Sequence, residues 1–116
     1  MTTHKIEKKH WQDYFDGLSK QFSGRRIEIE VDSLQIGSQV VAKSILLTGI
    51  MFDSKDNALE IITPDLVHTI KDPGTIYVDV DEGILKHIAI KSDEASDEQI
   101  IKFIPPLSLT FIKQFT

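Results

Sequence analysis

The chain reads as a single α+β domain in which an N-terminal amphipathic helix packs on a mostly antiparallel, curled or barrel-like sheet of about six or seven strands. Three observations predict this. Ile27, Ile29 and Val31 alternate with Glu28 and Glu30, and Ile76, Val78 and Val80 alternate with Tyr77 and Asp79. A period of two sends every second side chain to one face, so each run buries one side and wets the other. Ahead of these runs, Trp11, Tyr14, Phe15, Leu18 and Phe22 recur at intervals of three and four, the stripe of one α-helix. At 116 residues the chain has the length of one domain and buries enough surface for a core without staples.

The helix is expected over about residues 7–22, with Asp13, Asp16, Lys20 and Gln21 on its wet side. Ser23-Gly24 stops it, because glycine takes the left-handed conformation after a helix without a Cβ clash. The sheet is expected over about residues 25–104. Ile27 to Val31 is its first strand, and Ile36-Gly37-Ser38 is a turn before one long apolar segment from Val40 to Phe52. Asp53-Ser54-Lys55-Asp56-Asn57 is a loop whose Asp and Asn side chains bond their own backbone, and Leu59 to Ile62 returns as the second arm of a hairpin. Pro64-Asp65 breaks the chain, Leu66 to Ile70 extends again, and Asp72-Pro73-Gly74 is a turn. Ile76 to Val80 and Ile84 to Ile90 form a tight hairpin around Asp81-Glu82-Gly83. Gln99 to Ile104 is the last strand, ended by Pro105-Pro106 because proline donates no ladder hydrogen bond. An apolar tail over residues 107–116 follows; Leu107, Leu109 and Phe111 alternate as in a strand while Leu107, Phe111 and Phe115 also fit a helical stripe, and the extended reading is favoured. The expected core is Trp11, Phe15, Leu18 and Phe22 from the helix, then Ile27, Ile29, Val31, Leu47, Ile61, Ile76, Val78, Ile88, Ile90, Ile101 and Phe103.

Composition excludes several classes of function. The formal charge of −5 and pI near 5.2 repel a polyanion, so nucleic acid is not an expected partner. The short basic groups Lys5-Lys8-Lys9-His10 and Arg25-Arg26 are interleaved with acids and read as solvated surface. A polyanion would need Lys8, Lys9, Arg25 and Arg26 to gather in one patch. No cysteine is present, which removes disulfides, thiolate nucleophiles and zinc–thiolate cages and accords with a reducing, cytoplasmic compartment. No signal-peptide stretch and no run long enough to span a bilayer occurs, so no membrane partner is expected.

No motif carries a metal or cofactor, and none is expected. Asp79-Val80-Asp81-Glu82-Gly83 resembles a calcium loop, but counted from Asp79 its glycine is one place early and Ile90 stands where a bidentate glutamate belongs. Asp93, Glu94, Asp97 and Glu98 crowd one loop without a fixed ligand spacing. The nucleophile elbow and the glycine-rich phosphate loop are absent. His68 and His87 lie on expected strands and, with Asp79 and Tyr77 nearby, make the one constellation suited to proton transfer.

Several stretches resemble an uncharacterised family of small bacterial proteins classed as a domain of unknown function. They are Trp11 with Tyr14-Phe15, Ile27 to Val31, Leu47-Thr48-Gly49-Ile50 with Phe52-Asp53 and Lys55-Asp56, and His68 through Pro73 to Ile76-Tyr77-Val78-Asp79. Gln99-Ile100-Ile101 and Pro106-Leu107 complete the likeness, which covers nearly the whole chain and consists of packing and turn patterns. It implies a bacterial source and no known activity.

Two functional readings follow. The leading one is a non-catalytic interaction module, self-associating or holding a protein or peptide partner through the tail residues Leu107, Leu109, Phe111 and Phe115 at a sheet edge. The rival is a small-molecule binder or weak acid–base enzyme in which His68, His87, Asp79 and Tyr77 converge in a pocket.

Overall fold

Residues 3–21, 24–33, 37–92 and 97–109 are described by the structure, a computed structural model. The elements run β1 (Thr3–Ile6), a 3-10 turn (Lys8–His10), α1 (Trp11–Ser19), β2 (Arg26–Ser33), β3 (Gly37–Leu46), β4 (Gly49–Asp53) and β5 (Ala58–Ile62). They continue as β6 (Val67–Lys71), β7 (Pro73–Asp81), β8 (Ile84–Ser92) and β9 (Glu98–Ser108). The α+β class holds, and every strand pair is antiparallel.

The strands divide into a six-stranded sheet, β1-β7-β8-β9-β2-β3, and a three-stranded sheet, β4-β5-β6. Neither closes into a barrel; β1 and β3 are the ends of the larger sheet, and register shifts in the β2–β3, β7–β8 and β8–β9 ladders bend it. Nine strands among the described residues exceed the expected six or seven for two reasons. The segment from Val40 to Phe52 splits between sheets: Leu47 donates its N–H to Arg25 O, and Thr48 donates to Ile62 O, so the chain crosses from one ladder to the other. Thr3-His4-Lys5-Ile6 has a single apolar residue and no periodic signal; it is a strand because β7 supplies its ladder.

The helix is shorter than expected. Lys8–His10 is a 3-10 turn, and the last turn tightens after Ser19, with Lys20 and Gln21 donating to Gly17 O and Leu18 O. The Ser19 hydroxyl is committed elsewhere, donating to Ile50 O at 2.8 Å and accepting from Ile50 N–H at 3.1 Å. Trp11, Tyr14, Phe15 and Leu18 form the buried stripe, and Trp11 meets Phe52 of β4 edge-on at 5.1 Å. The Trp11 indole N–H donates to Ile6 O at 2.9 Å, which satisfies its one polar atom inside the core. Phe22 lies outside the described residues.

Turn chemistry follows the sequence at two places and departs from it at two. Asp53 Oδ1 accepts from the N–H groups of Lys55 and Asp56, and Asn57 takes a left-handed conformation (φ 50°) to close the β4–β5 hairpin. Glu82 (φ 53°) and Gly83 (φ 77°) both have positive φ, the geometry of a two-residue primed turn, and they join β7 to β8. Pro73 and Gly74, by contrast, already belong to β7, and the bend rests on Asp72 alone, at φ 51°. Pro105-Pro106 does not end β9. β9 pairs Lys102 with His87 and Leu107 with Leu85, so residues 103–106 bulge against Lys86, while the β2 ladder stops at Arg26 opposite Ile104. The prolines sit where no ladder N–H is required.

The expected core is buried except Val31, which is half-buried, and Phe22, which is outside the described residues. Ile6, Ile50, Phe52, Leu59, Ile70, Leu85 and Leu107 join it.

Candidate functional site

The expected histidine–carboxylate constellation forms in part: Asp79 and His87 come together, and His68 does not join them. On β7 the core-facing residues are Ile76 and Val78, so Tyr77 and Asp79 point to the outer face of the large sheet. Asp79 and His87 stand in register there, with His87 Nδ1 3.5 Å from Asp79 Oδ2. Asp79 is only 3% exposed, and its Oδ1 has no hydrogen-bond partner. One strand further, Lys102 is in register with His87 and reaches Glu28 at 3.8 Å and Glu30 at 3.3 Å. Glu30 also accepts from Ser38 Oγ at 3.0 Å; that bond, then Lys102, holds its carboxyl below the usual carboxylate range. This is a row of ionisable side chains across the outer face of the sheet. His68 is elsewhere, on β6 of the small sheet, with Nε2 2.7 Å from Gln99 Oε1. The large sheet itself separates His68 from the Asp79–His87 pair.

The basic residues are also dispersed among elements. Lys8 lies 5.6 Å over the Trp11 ring, Arg25 donates to Pro105 O and Arg26 to Ser44 O. Of the tail, Leu107 is buried in the core, and Leu109 packs against it while donating its N–H to Gly83 O at 2.8 Å. Phe111 and Phe115 lie outside the described residues, as do Asp93 and Glu94 of the acidic loop.

A concave site forms instead where the two sheets part. One wall is β2 and β3, contributing Ile29, Val31, Val41 and Ala42; the other is the β5–β6 turn, contributing Pro64 and Leu66. The cleft has a volume of about 640 Å³, within the range of ligand-holding sites. Local chemistry fixes the turn wall: Thr63 Oγ1 donates to Leu66 O and accepts from Leu66 N–H, which closes the loop around Pro64-Asp65 and pushes the Leu66 side chain outward. Among the described residues the four most exposed large hydrophobic residues are Leu66 (55%), Val41 (54%), Val40 (51%) and Val67 (51%); Leu66 and Val41 line the cleft, and Val40 and Val67 are their chain neighbours. Charge enters at one point on each wall, Arg26 on β2 and Asp65 in the turn.

The sequence conceals this site because its walls are 20 residues or more apart, as from Val41 to Leu66. One signal was available: Val40-Val41-Ala42 is an apolar run between Gln39 and Lys43, and strict alternation cannot bury both valines on one face.

The model of a family of unknown function, DUF5335, matches residues 2–111. An uncharacterized protein of Aquifex aeolicus (strain VF5) is 34% identical over 112 residues, which cover 94% of this chain and 98% of that protein. No solved structure matches the chain.

Proposed function

We propose that this chain, which belongs to the DUF5335 family of unknown function, is a non-catalytic binding module that holds an apolar segment of a protein in the cleft between β2–β3 and the β5–β6 turn. The observation that supports the reading is that Leu66 and Val41, the two most exposed large hydrophobic residues among those described, line opposite walls of one cleft. Singly exposed aliphatic residues are ordinary; a group around a concavity marks an interaction surface. The interaction role expected of the tail moves to this cleft for the described residues, since Leu107 is core and Leu109 packs on it. A cytoplasmic location goes with this reading, on the cysteine-free composition. No helix of the described residues is long and apolar enough to cross a membrane.

The test uses the apolar dye anilinonaphthalene sulfonate as probe, at dilute protein. The native chain should enhance its fluorescence. Val41→Lys with Leu66→Lys should abolish most of that enhancement while Trp11 emission stays unchanged. Equal dye binding by the double variant would remove the cleft from consideration.

A further inference from the structure

We infer that the occupant of the cleft is a second copy of this chain, docked about a two-fold axis so that each copy's β2–β3 wall meets the other's β5–β6 turn. This rests on the cleft being a binding surface. The surface is self-complementary in both apolarity and charge. One wall carries Arg26 on β2 and Val41 on β3; the other carries the adjacent Asp65 and Leu66. Arg26 and Asp65 line the same cleft, are both exposed, and form no ion pair with each other among the described residues. Arg26 donates Nη1 to Ser44 O at 2.7 Å, which leaves most of its five donors for an incoming carboxylate. A two-fold axis uses each pairing twice, Arg26 with the partner's Asp65 and Val41 with the partner's Leu66. A net charge of −5 per copy opposes association at long range, so a like copy needs such local opposite charges to dock.

The edge of β3 argues that the contact is made by side chains rather than by a shared ladder. β3 shifts register against β2 twice, between Ile27 and Ile29 and between Ile29 and Glu30, which leaves residues 37–40 and the pair 45–46 as its regular stretches. Bulges of this kind turn an edge away from strand pairing, and a two-fold contact closes on itself, so pairs form and fibres do not.

Sedimentation velocity over a concentration series tests the pairing. The native chain should shift from monomer to dimer as concentration rises, less readily at high salt. Arg26→Asp and Asp65→Arg should each weaken dimerisation about tenfold or more, because like charges then face each other. Mixed in equal amounts, the two variants should associate again, since one carries two carboxylates and the other two guanidiniums at the contact. No purely intramolecular role of either residue produces rescue by mixing. A native chain that stays monomeric, or a mixture that does not associate, overturns the second copy as occupant. Dye binding abolished by Val41→Lys with Leu66→Lys in a chain that stays monomeric would sink this inference alone; dye binding indifferent to that double variant would sink the cleft reading beneath it.

Discussion

The two edges of the small sheet face opposite treatments. On the β4 side, α1 closes the edge: Ser19 bonds both the N–H and the C=O of Ile50, and Trp11, Phe15 and Leu18 pack to near-zero exposure. On the β6 side, no helix of the described residues arrives. The neighbouring turn and β3 diverge, and Leu66 and Val41 are left more than half exposed. The same type of element, a short antiparallel strand, is covered on one flank and open to solvent on the other. The difference lies in what covers the strand, since Ile50 and Val67 have similar intrinsic hydrophobicity. Stability should therefore concentrate at the helix side and binding at the cleft side, where substitutions act without unfolding.

Phe15→Ala should show the largest effect. It is fully buried, and truncating such a ring costs about 3–5 kcal/mol, read as a lower urea midpoint with unchanged slope. Tyr14, on the same helix stripe, has its phenol pushed up to about 12 by burial, from 10.0. The folded state thus holds its proton more tightly than the unfolded state. The stability this provides is complete below pH 10 and is lost as pH rises toward 12, by about 2–3 kcal/mol over that window. Urea titrations across this range should show that slope in the native chain and a flatter one in Tyr14→Phe.

Ser19→Ala should cost about 1–2 kcal/mol, because it strips both bonds from the Ile50 backbone without opening a large cavity. His87→Ala tests the outer face, where it would remove the imidazole that stands 3.5 Å from the buried Asp79 carboxyl; about 1 kcal/mol is expected, given that the His87 side chain is 32% exposed. The smallest stability effect should come from Val41→Lys with Leu66→Lys, within about 0.5 kcal/mol of native, since both side chains already meet solvent. If that pair instead unfolds the chain as Phe15→Ala does, the contrast between the two flanks is wrong.

Much of this architecture was legible in one dimension. Ile27, Ile29, Ile76 and Val78 announce their inward face by alternation, and Trp11, Phe15 and Leu18 by helical spacing; all are buried. The Glu82-Gly83 turn was legible because a two-residue primed turn needs positive φ, which glycine supplies freely. The split of Val40 to Phe52 was not, because Leu47-Thr48 contains no breaker and crosses sheets through hydrogen bonds to Arg25 and Ile62, partners remote in sequence. The continuation of β9 through Pro105-Pro106 was misread for a related reason. A proline forbids a ladder bond only where a neighbour asks for one, and here the ladders on both sides lapse.

Pattern and turn chemistry, which act between residues a few positions apart, determined by themselves an antiparallel α+β chain with an aromatic helix and a specified set of inward residues. The tertiary arrangement alone decided that His68 and the Asp79–His87 pair lie on opposite sides of one sheet and that Val41 and Leu66 share a cleft. Strand order and the partition into two sheets are set by contacts between distant segments. Periodicity tells each strand which side to bury, and it carries no information about which strand will lie beside it.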